Sequence, residues 1–161
     1  MNDIFEIDEG KAVKIAEILL FQWKAGKGVF SNYSMPEYVY PPNLPLGSKE
    51  HALYFTYIIS IDYMTDAEKL WQNARTAYQL HPDFFTPKKI LSINPRYLRA
   101  FIKRLGARFA KEGVRTWRKI SEVLLEKYAG DPRNITPEPL SIDEIKEKLK
   151  DFPHLRGSKL S

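Results

Sequence analysis

The stretch from Asn94 to Gly130 limits the fold most. Asn94-Pro95 is an N-cap followed by proline at the first helical position, and Gly106 is a C-terminal stop. Between them Leu98, Phe101, Ile102 and Leu105 recur at helical spacing. A second run follows at once. Val114, Trp117, Ile120, Leu124 and Tyr128 form its stripe, and Gly130 closes it. Two adjacent amphipathic helices must bury their stripes on further helices or on a sheet. No segment alternates like an exposed strand, so helices are the expected partners.

Helical signals flank this stretch on both sides. Asp8 can cap a first helix running to about Ala25, with Ile15, Ile18, Leu19 and Trp23 as its stripe and Gly26 as its stop. Tyr33 to Leu46 contains Pro36, Pro41, Pro42 and Pro45, which predicts an extended, non-helical arm. Its tyrosines either stack on bases or anchor the arm to the body. Ser48 can cap the next helix. The run Ala52 to Ile61 is apolar on nearly every side and fits a strand or a helix by period alone. Its helical neighbours favour a central buried helix.

Thr65-Asp66-Ala67-Glu68 reads as a capping box. The helix after it places Ala67, Leu70, Trp71, Ala74 and Tyr78 on one face, and His81-Pro82 ends it. Pro87 to Ser92 is a short helical turn. Gly130 to Leu140 is a loop with Pro132, Pro137 and Pro139, and Ser141-Ile142-Asp143-Glu144 is a second capping box. The expected fold class is all-α, with six or seven helices, short loops and no internal repeat. Residues 1–47 hold the first helix and the Tyr/Pro-rich arm; residues 48–161 hold the helical domain, and the two form one structural unit. Trp23, Trp71 and Trp117 all sit on apolar stripes and are expected in the core.

Cysteine is absent, which excludes disulfides, cysteine-ligated zinc and a cysteine-bound iron–sulfur cluster. His51 and His81 are too isolated to suggest a metal site, so no metal or cofactor is expected. The longest apolar run is about half of the roughly 20 residues a membrane-spanning helix needs. The acidic N-terminus has no signal-peptide character. A soluble cytoplasmic protein without a membrane partner is the expectation.

Charge is concentrated. Arg96, Arg99, Lys103, Arg104, Arg108, Lys111, Arg115, Arg118 and Lys119 share one window with a single acid, Glu112. That window carries +8 in a chain of net charge +5. Such a patch is either the footprint of a phosphate backbone or a solvated helical face.

Leu140 to Ser161 outlines a short helix, a tight apolar turn and the start of a second helix. Several stretches then line up in order. Ile58-Ile59-Ser60-Ile61-Asp62-Tyr63-Met64-Thr65-Asp66-Ala67 is similar to a helix ending in L-L-S-x-Q-x-T-D. Leu98 to Gly106 is similar to the glycine-terminated helix that follows it. Arg115 to Gly130, ending Leu125-Glu126-Lys127-Tyr128-Ala129-Gly130, is similar to L-x-E-K-Y-x-G. Leu149 to Lys159, with Phe152-Pro153-His154-Leu155-Arg156-Gly157-Ser158-Lys159, is similar to L-P-G-V-G-x-K. Residues from about 50 to 161 thus resemble the helix-hairpin-helix base-excision DNA glycosylases, the superfamily of endonuclease III and the 8-oxoguanine DNA glycosylases.

The resemblance implies a glycosylase-type helical fold and a DNA-repair glycosylase/AP lyase acting on damaged duplex DNA. Lys159 would be the Schiff-base nucleophile at the deoxyribose C1′. Leu155, Arg156, Gly157 and Ser158 would offer backbone N–H groups to a phosphate, together with the basic patch. Asp62 would stand beside the flipped base, although it could equally cap the next helix. His154 would contact phosphate or fill the lesion gap, or else be an ordinary turn histidine. Lys159 itself also reads as an ordinary exposed lysine. The family's catalytic aspartate and closing helices would lie on a C-terminal part beyond Ser161 or on a second chain. The alternative expectation is a non-catalytic nucleic-acid-binding or assembly module with the same helical fold.

Overall fold

A computed structural model describes residues 8–28 and 35–153. Seven α-helices and no strand occur among them: α1 Glu9–Lys24, α2 Lys49–Ile59, α3 Ala67–Leu80, α4 Pro87–Ser92, α5 Pro95–Leu105, α6 Ala110–Lys127 and α7 Ile142–Leu149. Short 3-10 turns occupy Pro36–Tyr38, Pro82–Phe85 and Pro132–Ile135, each starting at a proline whose fixed φ suits a tight turn. The all-α expectation holds. No helix among the described residues is long and apolar enough to cross a membrane. The chain divides into two compact units, residues 1–35 and 36–161.

In the first unit, Asp8 caps α1 by accepting from the Lys11 N–H at 3.0 Å. Trp23 is not a core residue, contrary to its place on a stripe: it is 62% exposed. Ile15, Ile18 and Leu19 are exposed as well. Helical spacing marks a face that could be buried. It does not supply the element that would bury it.

In the second unit, α6 packs against α4 and α5, and α3 against α5. Trp71 and Trp117 are fully buried here. The Trp117 indole N–H donates to the Tyr57 carbonyl at 2.9 Å. Ser121 Oγ donates to the Trp117 carbonyl at 2.7 Å. Its one hydrogen is thereby used, so the Tyr57 hydroxyl is the donor in their 2.8 Å contact. This chain of bonds locks the middle of α6 to α2, which is helix rather than strand. Gly113 lets the helices approach closely, since a Cβ there would lie 3.0 Å from Ile102 Cγ2 and 3.2 Å from Ile61 Cγ2.

Two local expectations need correction. The Tyr/Pro-rich segment is not an extended arm over its described part. Val39 N–H bonds to the Pro36 carbonyl and Leu44 N–H to the Pro41 carbonyl, so it folds as successive tight turns. Leu44 is buried in the core of the second unit, and the Tyr40 ring meets His51 and Phe55 edge-on. Tyr40 therefore anchors the segment, whereas Tyr38 is exposed. Tyr33 lies outside the described residues.

The cap of α3 is Asp66 rather than Thr65. Asp66 accepts from the Lys69 N–H at 3.2 Å, one register later than the Thr65 box predicts. Thr65 Oγ1 instead donates to the Tyr63 carbonyl. The Ser141 box does form, with Ser141 Oγ accepting from the Glu144 N–H and the Glu144 carboxylate accepting from the Ser141 N–H. Beyond α7, Phe152 is fully buried and its ring lies 5.8 Å from that of Tyr128. Lys127 pairs with Asp151, and Lys148 Nζ donates to the Ile135 carbonyl at 2.8 Å. Residues 148–152 are thus tied to the end of α6 and to the Pro132–Ile135 turn.

Candidate nucleic-acid interface

Helix α5 buries Leu98, Ile102 and Leu105, which turns its other face outward. Arg96, Arg99 and Lys103 lie on that outward face at spacings of three and four residues. Gly106 adopts a left-handed φ of 105° and ends the helix, so the chain turns back into α6 within a few residues. Arg108 occupies this turn, and Lys111 and Arg115 the exposed side of early α6.

Two adjoining clefts result. One, of about 350 Å³, is lined by Arg99, Lys103, Arg108, Lys111 and Glu112 among others. The other, of about 240 Å³, is lined by Arg96, Arg99, Lys111 and Arg115 with Pro95 and Val114. Arg99 and Lys111 belong to both. The first turn of α6 contributes Ala110, Lys111 and Glu112 to the larger cleft, and its N-cap residue Phe109 supplies no side-chain cap. Free N–H groups and the positive end of the helix dipole therefore add to the basic side chains.

The other basic residues of the window are placed differently. Arg104 lines a separate cavity against α3 with Asn73, Thr76 and His81. Arg118 is half-buried, and its Nη1 donates to the Ile90 and Leu91 carbonyls at 3.3 and 3.2 Å. It closes the C-terminal end of α4 in the way cations commonly do. Lys119 stands 3.8 Å from Glu122. Arg115 Nη1 meets both Glu112 carboxylate oxygens, at 3.0 and 3.1 Å. Arg96, Arg99, Lys103, Arg108 and Lys111 have no ion-pair partner among the described residues.

The loop after α2 lies beside the α5–α6 turn, joined to it by the Arg108 N–H donating to Thr65 Oγ1 at 3.3 Å. It carries Tyr63 and Met64, both exposed, and Met64 holds a left-handed φ of 54°. Tyr63 and Phe109 lie nearly parallel, with centroids 6.4 Å apart and 29° between planes. The Arg108 guanidinium sits 5.5 Å from the Phe109 ring centre. Sequence reasoning missed these two aromatics. The available signal was register: Phe109 falls off the stripe of Val114, Trp117 and Ile120, and Tyr63 falls between two helices.

Comparison with known proteins yields no relative. No family model matches the chain, and no curated protein or solved structure matches it either.

Asp62 does not cap α3. Its Oδ2 accepts from the Trp71 indole N–H at 3.2 Å, and its buried Oδ1 has no partner among the described residues. Burial raises its pKa above the usual aspartate range. The Trp71 bond partly opposes this, and the charge of Glu37 adds to it. An acid whose folded-state pKa is raised binds more protons folded than unfolded, so stability falls as pH rises through that raised value. Asp62→Asn keeps an acceptor for Trp71 and removes the charge. Its Tm relative to wild type is expected to improve as pH rises from the ordinary aspartate value of about 3.9 towards the raised folded-state value, and to level off above it. A difference that stays constant with pH would show that the charge does not matter there.

Lys159, with His154, Leu155, Arg156, Gly157 and Ser158, lies outside the described residues.

Proposed function

We propose that this chain binds nucleic acid, with the sugar–phosphate backbone running along the two clefts between α5 and α6. One observation carries the reading: six cations line these clefts, and five of them pair with no carboxylate among the described residues, beside the uncapped start of α6. A solvated helical face usually intersperses acids with its bases. Here, among the described residues, the only acid lining the clefts is Glu112, and Arg115 holds it.

The test is binding of a labelled DNA duplex across a salt series. Log affinity should fall linearly with log salt, with a slope of about −4.5 if each of five cations neutralises one phosphate. No binding at low salt would remove the reading and favour a helical protein-interaction domain.

Base excision is the second reading. The ordered motifs of residues 50–161 support it. On this reading the fold is of the helix-hairpin-helix glycosylase type, Lys159 is the nucleophile, and residues 154–158 contact phosphate. Borohydride treatment of the full-length protein on abasic-site DNA should then trap a covalent adduct that Lys159→Ala abolishes. An adduct unaffected by that substitution would remove Lys159 as the nucleophile, and no adduct at all would leave a non-catalytic nucleic-acid-binding module.

A further inference from the structure

We infer that the cavity beside Tyr63 and Phe109 accepts one unstacked nucleobase of a bound strand, held on these rings and read by the Glu112 carboxylate. The inference builds on the nucleic-acid reading and adds the conformation of the strand and the base edges it favours.

Its first support is shape. Tyr63 is 72% and Phe109 47% exposed, although both are large aromatic side chains. Their rings lie 6.4 Å apart and within 29° of parallel. The cavity they line holds about 230 Å³, several times the roughly 30 Å³ a water molecule takes in the liquid. Ile61 and Gly113 also line it, giving a largely apolar wall suited to a flat ring.

Position is the second support. Phe109 and Glu112 line both this cavity and the larger basic cleft. A strand whose phosphates occupy the cleft therefore has the cavity within reach of an adjoining base. The bond from the Arg108 N–H to Thr65 Oγ1 ties the loop bearing Tyr63 to the turn bearing Phe109, so the two rings are held relative to each other.

Chemistry is the third. Among the described residues, Glu112 is the one ionisable side chain lining the cavity besides the Tyr63 phenol, and a carboxylate only accepts hydrogen bonds. Arg115 uses part of its capacity, but two oxygens offer about four acceptor sites. The carboxylate therefore favours bases with an exocyclic amino donor, as carboxylates do with the cytosine N4 amino group. Thymine offers only N3–H, flanked by two carbonyls that Glu112 repels. Ring stacking alone would accept any base. A closed duplex hides the base faces, so the favoured ligand is single-stranded or locally open.

Fluorescence anisotropy with labelled dC and dT homopolymers of equal length tests this. The wild-type chain should bind oligo-dC several-fold tighter than oligo-dT. Tyr63→Ala and Phe109→Ala should each weaken oligo-dC binding about tenfold or more, with circular dichroism unchanged because both side chains are exposed. Glu112→Gln should erase or reverse the preference for dC without weakening oligo-dT. That is a change in selectivity which a merely structural role would not produce. If both aromatic variants bind like wild type while salt-dependent duplex binding persists, the slot is wrong and the clefts stand. Equal affinity of wild type for the two oligomers would overturn the role of Glu112. Absence of binding to every probe, the duplex included, would overturn both readings.

Discussion

Replacing Trp117 by alanine should destabilise the folded chain by about 3–5 kcal/mol, a large part of the roughly 5–15 kcal/mol a domain of this size has. Trp117 is fully buried, with its ring 5.0 Å from Tyr57, 5.9 Å from Phe85 and 6.2 Å from Phe101. These partners come from α2, the Pro82–Phe85 turn and α5. Truncation therefore opens a cavity where several elements meet, and none can close it without moving the others. The polar part of the cost should be small. The Tyr57 carbonyl loses the indole N–H but keeps the bond from Ser60 Oγ at 2.8 Å, so it is not orphaned. Trp117→Phe keeps most of the ring and should cost clearly less than the alanine change. Urea unfolding decides it. The alanine variant should show a lower midpoint with a nearly unchanged slope, and the phenylalanine variant should fall between it and wild type. Equal losses for the two would mean that the indole N–H matters more than the volume.

The elements around Trp117 were the most legible in the sequence. Asn94-Pro95 at the start of α5, Gly106 at its end and the stripe of α6 each depend on neighbours within one or two turns. Local chemistry fixes such features, and the sequence displays local chemistry directly. The misreadings share the opposite cause. The exposure of Trp23 depends on whether another element covers α1, which no periodicity reports. Asp66 displaced Thr65 as the cap because Thr65 accepts from the Arg108 N–H, forty-three residues away. Arg118 reads as one more cation in a basic run. Only the packing of α6 on α4 brings its guanidinium to the Ile90 and Leu91 carbonyls. The candidate site divides in the same way. Arg96, Arg99 and Lys103 follow from helical spacing alone. Tyr63 and Phe109 meet only because two loops distant in sequence lie side by side.

Simultaneous replacement of Arg99, Lys103 and Lys111 by alanine should reduce the salt dependence of duplex binding by about 2.7 in slope, near 0.9 for each phosphate no longer neutralised. The choice follows from the geometry. Arg99 and Lys111 line both clefts, and Lys103 lines the larger one with Arg108. All three are exposed and make no ion pair among the described residues, so the fold should survive their removal. The altered slope makes the affinity gap depend on salt. The advantage of wild type over the variant should shrink about 40-fold between about 50 and about 200 mM salt. A control removes the same charge elsewhere: Lys14, Lys24 and Lys27, exposed and lining neither cleft, replaced by alanine. If net charge alone drove binding, the two triple variants would lose affinity and slope alike. If the clefts hold the phosphates, only the first loses its slope. Equal behaviour of the two would leave the cluster on α5 and α6 as a solvated face.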